Sequence, residues 1–456
     1  MRLGTNTPLF RLIHITDLHF DEQYRPLNQL YRVRMGGWQV HDPDVVCALA
    51  EKVAEIRDED SVPCRVAVTG DLTTWGTGDA FEFALNYIRR TVPITTRQVC
   101  GLNDERAIVI PGNHDAWIDT FPLFYPRTGR PNPYGCPPFA EVFHNPAPDA
   151  DLPLFLPGRG GPAEVEPPRL GVSPFPFRVC LRQANPTIYL YGLDSTRLDL
   201  WPEDEEQKAE KPWNIQDADP DMAARIAASL SSERSAAIAG GYIDRGQLRR
   251  LAAAVRSEPH QSDVVLRLVL IHHPLAYPFT NPRDPANLVE GAPPHWGSPL
   301  LLQAWHWFHL GGSVLFNMAD VQKELYDLQF NGILCGHQHC GFTKPIFPQP
   351  DAKRPLYVLS AGTAAQAMRL PRREAAALEI PFKLLPNDEE RELWYRAAAK
   401  TNEFRVYEFY PEYSSQGKLQ IGLLVRVFRY LPSIFSFEEH IDEEETRSGS
   451  GYVRIR

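Results

Sequence analysis

Five short clusters of His, Asp and Asn each stand directly behind an apolar, β-branched run, and this arrangement constrains the fold of the 456-residue chain more than any other feature. The clusters are Asp17-Leu18-His19, Gly70-Asp71, Gly112-Asn113-His114-Asp115, His272-His273 and Gly336-His337-Gln338-His339. The runs before them, 10–15, 62–69, 107–110, 264–271 and 332–335, read as buried strands. Helical patterns separate the first three. Asp42-Pro43 offers an N-cap with proline in the first turn, and Val45, Val46, Leu49, Val53 and Ile56 follow at helical spacing; a second helix is expected over 81–88. The order is β-α-β-α-β with polar groups at each strand's carboxyl end, where open α/β sheets collect their ligands.

Further along, 117–177 is rich in proline and glycine without periodicity and reads as loop near the mouth of a site. A strand pair is expected at 178–182 and 187–191 around Asn185-Pro186, then a charged excursion over 202–221. A helix capped by Asp244 should cover 245–255, and a second Pro-rich loop 274–299 leads to the aromatic cluster Trp305, Trp307 and Phe308. A strand is expected at 356–360, followed beyond about 363 by a charged helical stretch and two alternating segments, 404–409 and 419–428. There is no internal repeat.

The clusters carry specific chemistry. Asp17 and His19, two residues apart on extended backbone, turn to one side and can share a cation; carboxylate with imidazole suits Mn, Fe or Zn better than Ca. The Asp71 carboxylate has two oxygens and can bridge two ions roughly 3.5 to 4 Å apart. Asn113 offers a neutral oxygen ligand, His114 can reach a substrate, and Asp115 can orient that imidazole through its other nitrogen. Of His272 and His273, His272 is taken as a ligand; His337 and His339 repeat the spacing of Asp17 and His19, with Gly336 allowing a tight turn beneath them. His14, in mid-strand, reads as a hydrogen-bonded core or supporting histidine.

The ordered set D-x-H, G-D, G-N-H-D, H-H-P and G-H-x-H resembles the calcineurin-like metallophosphoesterases, which include purple acid phosphatases, Ser/Thr protein phosphatases and bacterial cyclic-nucleotide phosphodiesterases. The resemblance spans roughly residues 10–365. It implies an α/β, four-layer αββα sandwich of two mixed sheets flanked by helices. It also implies two metal ions, Mn, Fe or Zn, one held by Asp17, His19, Asp71 and His339 and the other by Asp71, Asn113, His272 and His337. His114, oriented by Asp115, resembles the family's catalytic histidine. On this basis 1–365 is expected to be the catalytic domain, with long loops at about 116–177, 197–240 and 275–310, and 366–456 a C-terminal extension on or beside the core.

The expected reaction is hydrolysis of a small phosphodiester or phosphomonoester, the diester favoured by the His272-His273-Pro274 block, which resembles that of the small phosphodiesterases. A net charge of -10 disfavours binding along an extended nucleic acid, although Arg369, Arg372 and Arg373 could form a short basic patch. A nuclease, a phospholipid-headgroup hydrolase and an inactive phosphoesterase-fold scaffold stand as alternatives. The scaffold is opposed by the completeness of the ligand set. Seven cysteines without a C-x-x-C pair read as reduced thiols, no window reaches the roughly 18 apolar residues of a membrane span, and a cytoplasmic protein is expected. The acidic stretch 438–445 reads as solvated, and the C-terminal extension is a candidate for oligomerisation.

Overall fold

In a computed structural model of the chain, the described residues are 7–20, 41–74, 78–116, 175–196, 241, 243, 245–259, 263–276, 315, 317–337, 341–365, 402–431, 433–440 and 452–454. Every apolar run that precedes a polar cluster is a strand. In chain order the first strands are β1 (Phe10–Ile15), β2 (Cys64–Thr69), β3 (Val92–Pro93), β4 (Val99–Cys100) and β5 (Ile108–Ile110). Then come β6 (Phe177–Gln183), β7 (Thr187–Gly192), β8 (Val265–Leu270), β9 (Gly332–Cys335), β10 (Phe342–Ile346) and β11 (Leu356–Ser360). The last are β12 (Glu403–Tyr413), β13 (Leu419–Leu431), β14 (Ser436–His440) and β15 (Tyr452–Arg454). The helices are α1 (Pro43–Asp58), α2 (Gly78–Arg89), α3 (Arg245–Arg256) and α4 (Met318–Asp327).

Two mixed sheets form. The first runs β14-β13-β12-β1-β2-β5 with β15 also on β13, and the second β10-β11-β9-β8-β7-β6; β3 and β4 make a separate hairpin. Within the first, β1, β2 and β5 are parallel. Within the second, β7, β8, β9 and β11 are parallel. All six residues of β1 are buried, as expected of a strand covered on both faces.

Strand alternation sorts the second sheet into two faces. Ile188, Leu190, Leu266, Leu268, Leu270, Leu334 and Leu359 join one core with the first sheet and with α1 and α2. Tyr189, Tyr191, Val269, Ile333 and Val358 join another with Leu248 and Leu251 of α3 and Val321 and Leu325 of α4. The layers are therefore helix, sheet, sheet, helix. Helix α1 begins as its sequence dictates: the Asp42 side chain accepts from Asp44 N at 2.9 Å, Pro43 sits in the first turn, and Val45, Val46, Leu49, Val53 and Ile56 are all buried.

The described part of the C-terminal segment, expected as an extension on or beside the core, contributes β12, β13, β14 and β15 to the first sheet. β12 lies next to β1 along a register from Phe10 opposite Phe409 to His14 opposite Arg405, so β1 is an interior strand only because β12 covers it. Of the 438–445 stretch, Glu438, Glu439 and His440 are exposed, as expected of a solvated segment, and they lie in β14 at the sheet edge with Phe437 buried beside them. Charge on an edge strand discourages further pairing. Helix α4 had no sequence signal because Val321 and Leu325 are its only buried hydrophobics, too short a stripe for a periodic pattern. Asp244, Trp305, Trp307, Phe308, Arg369, Arg372, Arg373 and His339 lie outside the described residues, as do nearly all of the three long loops.

Candidate metal centre

The parallel strands of both sheets end at one place. β1 delivers Asp17 and His19, β2 Asp71, β5 Asn113 and His114, β8 His272 and β9 His337. The loops after β1 and β2 remain hydrogen-bonded to each other beyond the strands, Asp17 N to Gly70 O, His19 N to Asp71 O and Phe20 N to Leu72 O, at 3.1, 2.9 and 2.8 Å. That continued pairing holds an unusual backbone. Asp17, His19, Asp71 and His337 have φ of 55, 50, 50 and 68°, the left-handed region that non-glycine residues seldom occupy. Such conformations cost on the order of 1–3 kcal/mol each and persist where the surroundings over-determine them, as at functional sites.

Glycines make room for the candidate ligands. A Cβ on Gly112 would overlap Asp71 Oδ1, and a Cβ on Gly336 would overlap the Thr16 hydroxyl and come within 2.8 Å of Asp17 Oδ2. The carboxylates therefore rest directly on the backbone of the Gly-Asn-His-Asp and Gly-His turns. Asp17 Oδ2 accepts from Thr16 Oγ1 at 2.6 Å and from His337 N at 3.1 Å, tying the first sheet to the second.

His272 makes the second tie and reveals its own tautomer. Its Nδ1 lies 2.6 Å from the Thr69 carbonyl, an acceptor only, so Nδ1 carries a proton and donates it. Its Nε2 faces Asn113 Oδ1 at 2.8 Å, His337 Nδ1 at 3.1 Å and Asp71 Oδ2 at 3.4 Å. Oxygens and nitrogens with lone pairs converge there, an arrangement that a cation satisfies. Three groups of donors, each with its atoms within 4.8 Å of one another, occur among the described residues: Asp17, Asp71 and His272; His19, Asp71 and His114; and His272, His273 and His337. Asp71 belongs to two of them. The mixed carboxylate, amide and imidazole set fits first-row divalent ions such as Mn, Fe or Zn.

The ionisation states follow from burial and neighbours. Burial opposes charge on Asp71, but His272, His114 and His19 outweigh it and hold the carboxyl well below its usual range. Burial likewise opposes charge on His272, yet Asp71 and then Asp17 raise it to about 9. In the metal-free protein a proton on His272 thus stands among donors that could hold a cation. By linkage, this raised pKa stabilises metal-free protein fully below the ordinary value of 6.5 and ceases to do so as pH rises through about 9. Metal uptake must expel the proton, so apparent affinity is expected to rise about tenfold per pH unit up to about pH 9. Calorimetric titration in buffers of different ionisation enthalpy measures the released proton; a pH-independent affinity would contradict the assignment.

Asp115 departs from its expected role. Its Oδ2 accepts from Gly112 N and Leu72 N and its Oδ1 from Thr73 N and Thr73 Oγ1, at 2.9 to 3.1 Å. It therefore staples the Gly-Asp loop to the Gly-Asn-His-Asp loop rather than orienting His114. Burial and then the charge of Asp71 raise its pKa to about 7 against the pull of those amides. The imidazole of His114 is oriented instead by the Thr74 carbonyl, 3.1 Å from Nδ1, so His114 Nδ1 is the donor. The His114 ring meets His19 edge-on at 4.9 Å, and its backbone N donates to Asp71 Oδ1 at 2.9 Å. A carbonyl acceptor contributed by main chain leaves no trace in residue identities, so Thr69 and Thr74 were not visible from sequence.

His14 behaves as expected of a supporting core residue. It is fully buried, its Nε2 lies 2.8 Å from Thr69 Oγ1, and burial together with Arg405 pushes its pKa down to about 3. His273, passed over as a ligand, also reaches the centre, with its ring 4.5 Å from that of His337.

The sequence profile described as "Calcineurin-like phosphoesterase" matches residues 10–222. Over residues 10–222 the chain is therefore similar to the calcineurin-like phosphoesterases. The matched stretch contains Asp17, His19, Asp71, Asn113, His114 and Asp115, whereas His272, His273, His337 and His339 follow it. Among solved structures the chain is similar to a 5'-nucleotidase from Candida albicans SC5314, at 12% identity and a TM-score of 0.31 over 78% of this chain. The match covers 46% of that nucleotidase, so this chain spans about half its length. No curated protein matches the chain. Among the described residues no helix is long and apolar enough to cross a membrane.

Proposed function

We propose that this protein is a phosphoesterase, a dinuclear-metal hydrolase of small phosphodiesters, cyclic nucleotides or glycerophosphodiesters being the classes that fit. The observation that carries this reading is Asp71, buried, ionised and common to two donor groups that draw on both sheets. Asp17, His19 and His339 would complete one ion's shell with Asp71, and Asn113, His272 and His337 the other's. Two such ions, when bound, make water acidic enough to supply a nucleophile near neutral pH and offset charge on the phosphoryl group.

The protein's own groups supply the remainder. Thr69 O holds His272 with Nε2 toward the ligands, and Thr74 O holds His114 with its Nδ1 occupied. His114 Nε2 is then the atom that exchanges a proton with the substrate, stabilising or protonating the leaving oxygen. Preference for diesters rests on the His272-His273-Pro274 block. A cytoplasmic location agrees with the reduced thiols of Cys47, Cys64, Cys100 and Cys335.

The test compares bis(p-nitrophenyl) phosphate with p-nitrophenyl phosphate, using metal-stripped protein refilled with Mn, Fe or Zn. Metal-dependent cleavage of the diester with little monoesterase activity is expected. Monoester preference would make the protein a phosphatase, and inactivity with every metal would overturn hydrolysis altogether.

A further inference from the structure

His272 and His273 are adjacent in sequence and opposite in chemistry. His273 Nδ1 lies 2.8 Å from Ser195 Oγ, and the backbone N of His273 lies 3.2 Å from the same oxygen. An amide N–H can only donate, so Ser195 Oγ accepts there. Ser195 is fully buried, and its hydroxyl partners among the described residues are both on His273. The hydroxyl proton therefore goes to Nδ1, because a buried donor left unsatisfied is costly. Nδ1 of His273 is an acceptor, and the neutral ring carries its proton on Nε2. In His272 the Thr69 carbonyl imposes the reverse, with Nδ1 protonated and Nε2 bare when neutral.

The ring is also clamped. A Cβ on Gly241 would overlap its Nδ1 and Cγ atoms, so that edge packs against the Gly241 backbone as well as against Ser195. The ring is tilted 49° to that of His337, and ring nitrogens of His272, His273 and His337 come within 4.8 Å of one another. An N–H donor fixed beside the ligands of one ion is suited to an anion bound at that ion, not to the ion itself.

We propose that His273 is a substrate-binding residue which gives its Nε2–H to a phosphoryl oxygen, and that Ser195 is the positioning residue which fixes this tautomer. This rests on the phosphoesterase reading above and goes beyond it by separating the two histidines into ligand and substrate donor. Hydrogen bonds to charged groups contribute about 1.5–3 kcal/mol, which converts to roughly 10- to 100-fold in affinity.

The experiment uses full-length, zinc-loaded protein with inorganic phosphate as the probe. Long-range proton–nitrogen correlation spectra should show His273 with Nδ1 bare and Nε2 protonated, and Ser195→Ala should mix the two tautomers. His273→Ala should retain its zinc by elemental analysis while binding phosphate about 10- to 100-fold more weakly in calorimetry. His273→Gln, whose amide N–H stands near the position of Nε2, should recover much of the affinity, and His273→Asn should not. Loss of zinc from His273→Ala, or a bare Nε2 in the wild-type spectrum, would make His273 a ligand and overturn the proposal. Wild-type protein that binds phosphate indifferently to residue 273 overturns it alone; wild-type protein that binds no phosphate and hydrolyses no ester overturns the functional reading with it.

Discussion

Asp71→Asn is expected to leave the chain folded, strip both ions and lower turnover at least ~10³-fold. The substitution isolates charge from shape. Asparagine tolerates the left-handed backbone at this position, φ 50°, better than other uncharged residues, and its amide oxygen can still accept from His114 N as Asp71 Oδ1 does at 2.9 Å. It cannot supply the second anionic oxygen that faces His272 Nε2 at 3.4 Å. Losing the carboxylate also removes the main influence raising His272, so any metal the variant still binds should release less than one proton near neutral pH. Elemental analysis decides the point: two ions retained per chain by Asp71→Asn would show that Asp71 does not bridge.

His114→Ala should behave oppositely, keeping both ions and losing about 10²- to 10⁴-fold in kcat, the range of general acid–base contributions. The contact His114 makes with Asp71 is through its backbone N, which alanine retains, so the bridging carboxylate keeps its support. The ring loses its bond to Thr74 O and its edge contact with His19, neither of which holds a ligand's lone pair. A pH–rate profile adds a readout that simple destabilisation would not move: one limb of the wild-type profile should disappear. Loss of metal from His114→Ala would instead make His114 a ligand, in line with its place beside His19 and Asp71.

The positions of the strands and of the candidate ligands at their ends were legible because both depend on local order. β9 and β11 occupy the expected residues end to end, and β1 does too, since an apolar, β-branched run bounded by Gly or by polar clusters has few other uses. Six expected ligands, Asp17, His19, Asp71, Asn113, His272 and His337, converge because parallel strands place their carboxyl ends on one edge. The role of the C-terminal segment was not legible. Alternating residues in 404–409 and 419–428 identify strands, but pairing between β12 and β1 joins positions nearly four hundred residues apart, and hydrogen bonds between backbones carry no residue code.

The same limit governs the centre. Residue types and spacing determine which groups can bind metal or move a proton, because that chemistry belongs to the side chain. Which of those capacities each group exercises is settled by neighbours from other strands. Asp115 holds amides because the Gly-Asp loop lies against it, and Thr69 and Ser195 set opposite protons on two adjacent imidazoles because one presents a carbonyl and the other a hydroxyl. A tautomer is fixed by what lies at hydrogen-bond distance from each ring nitrogen, and that distance exists only once both sheets have packed.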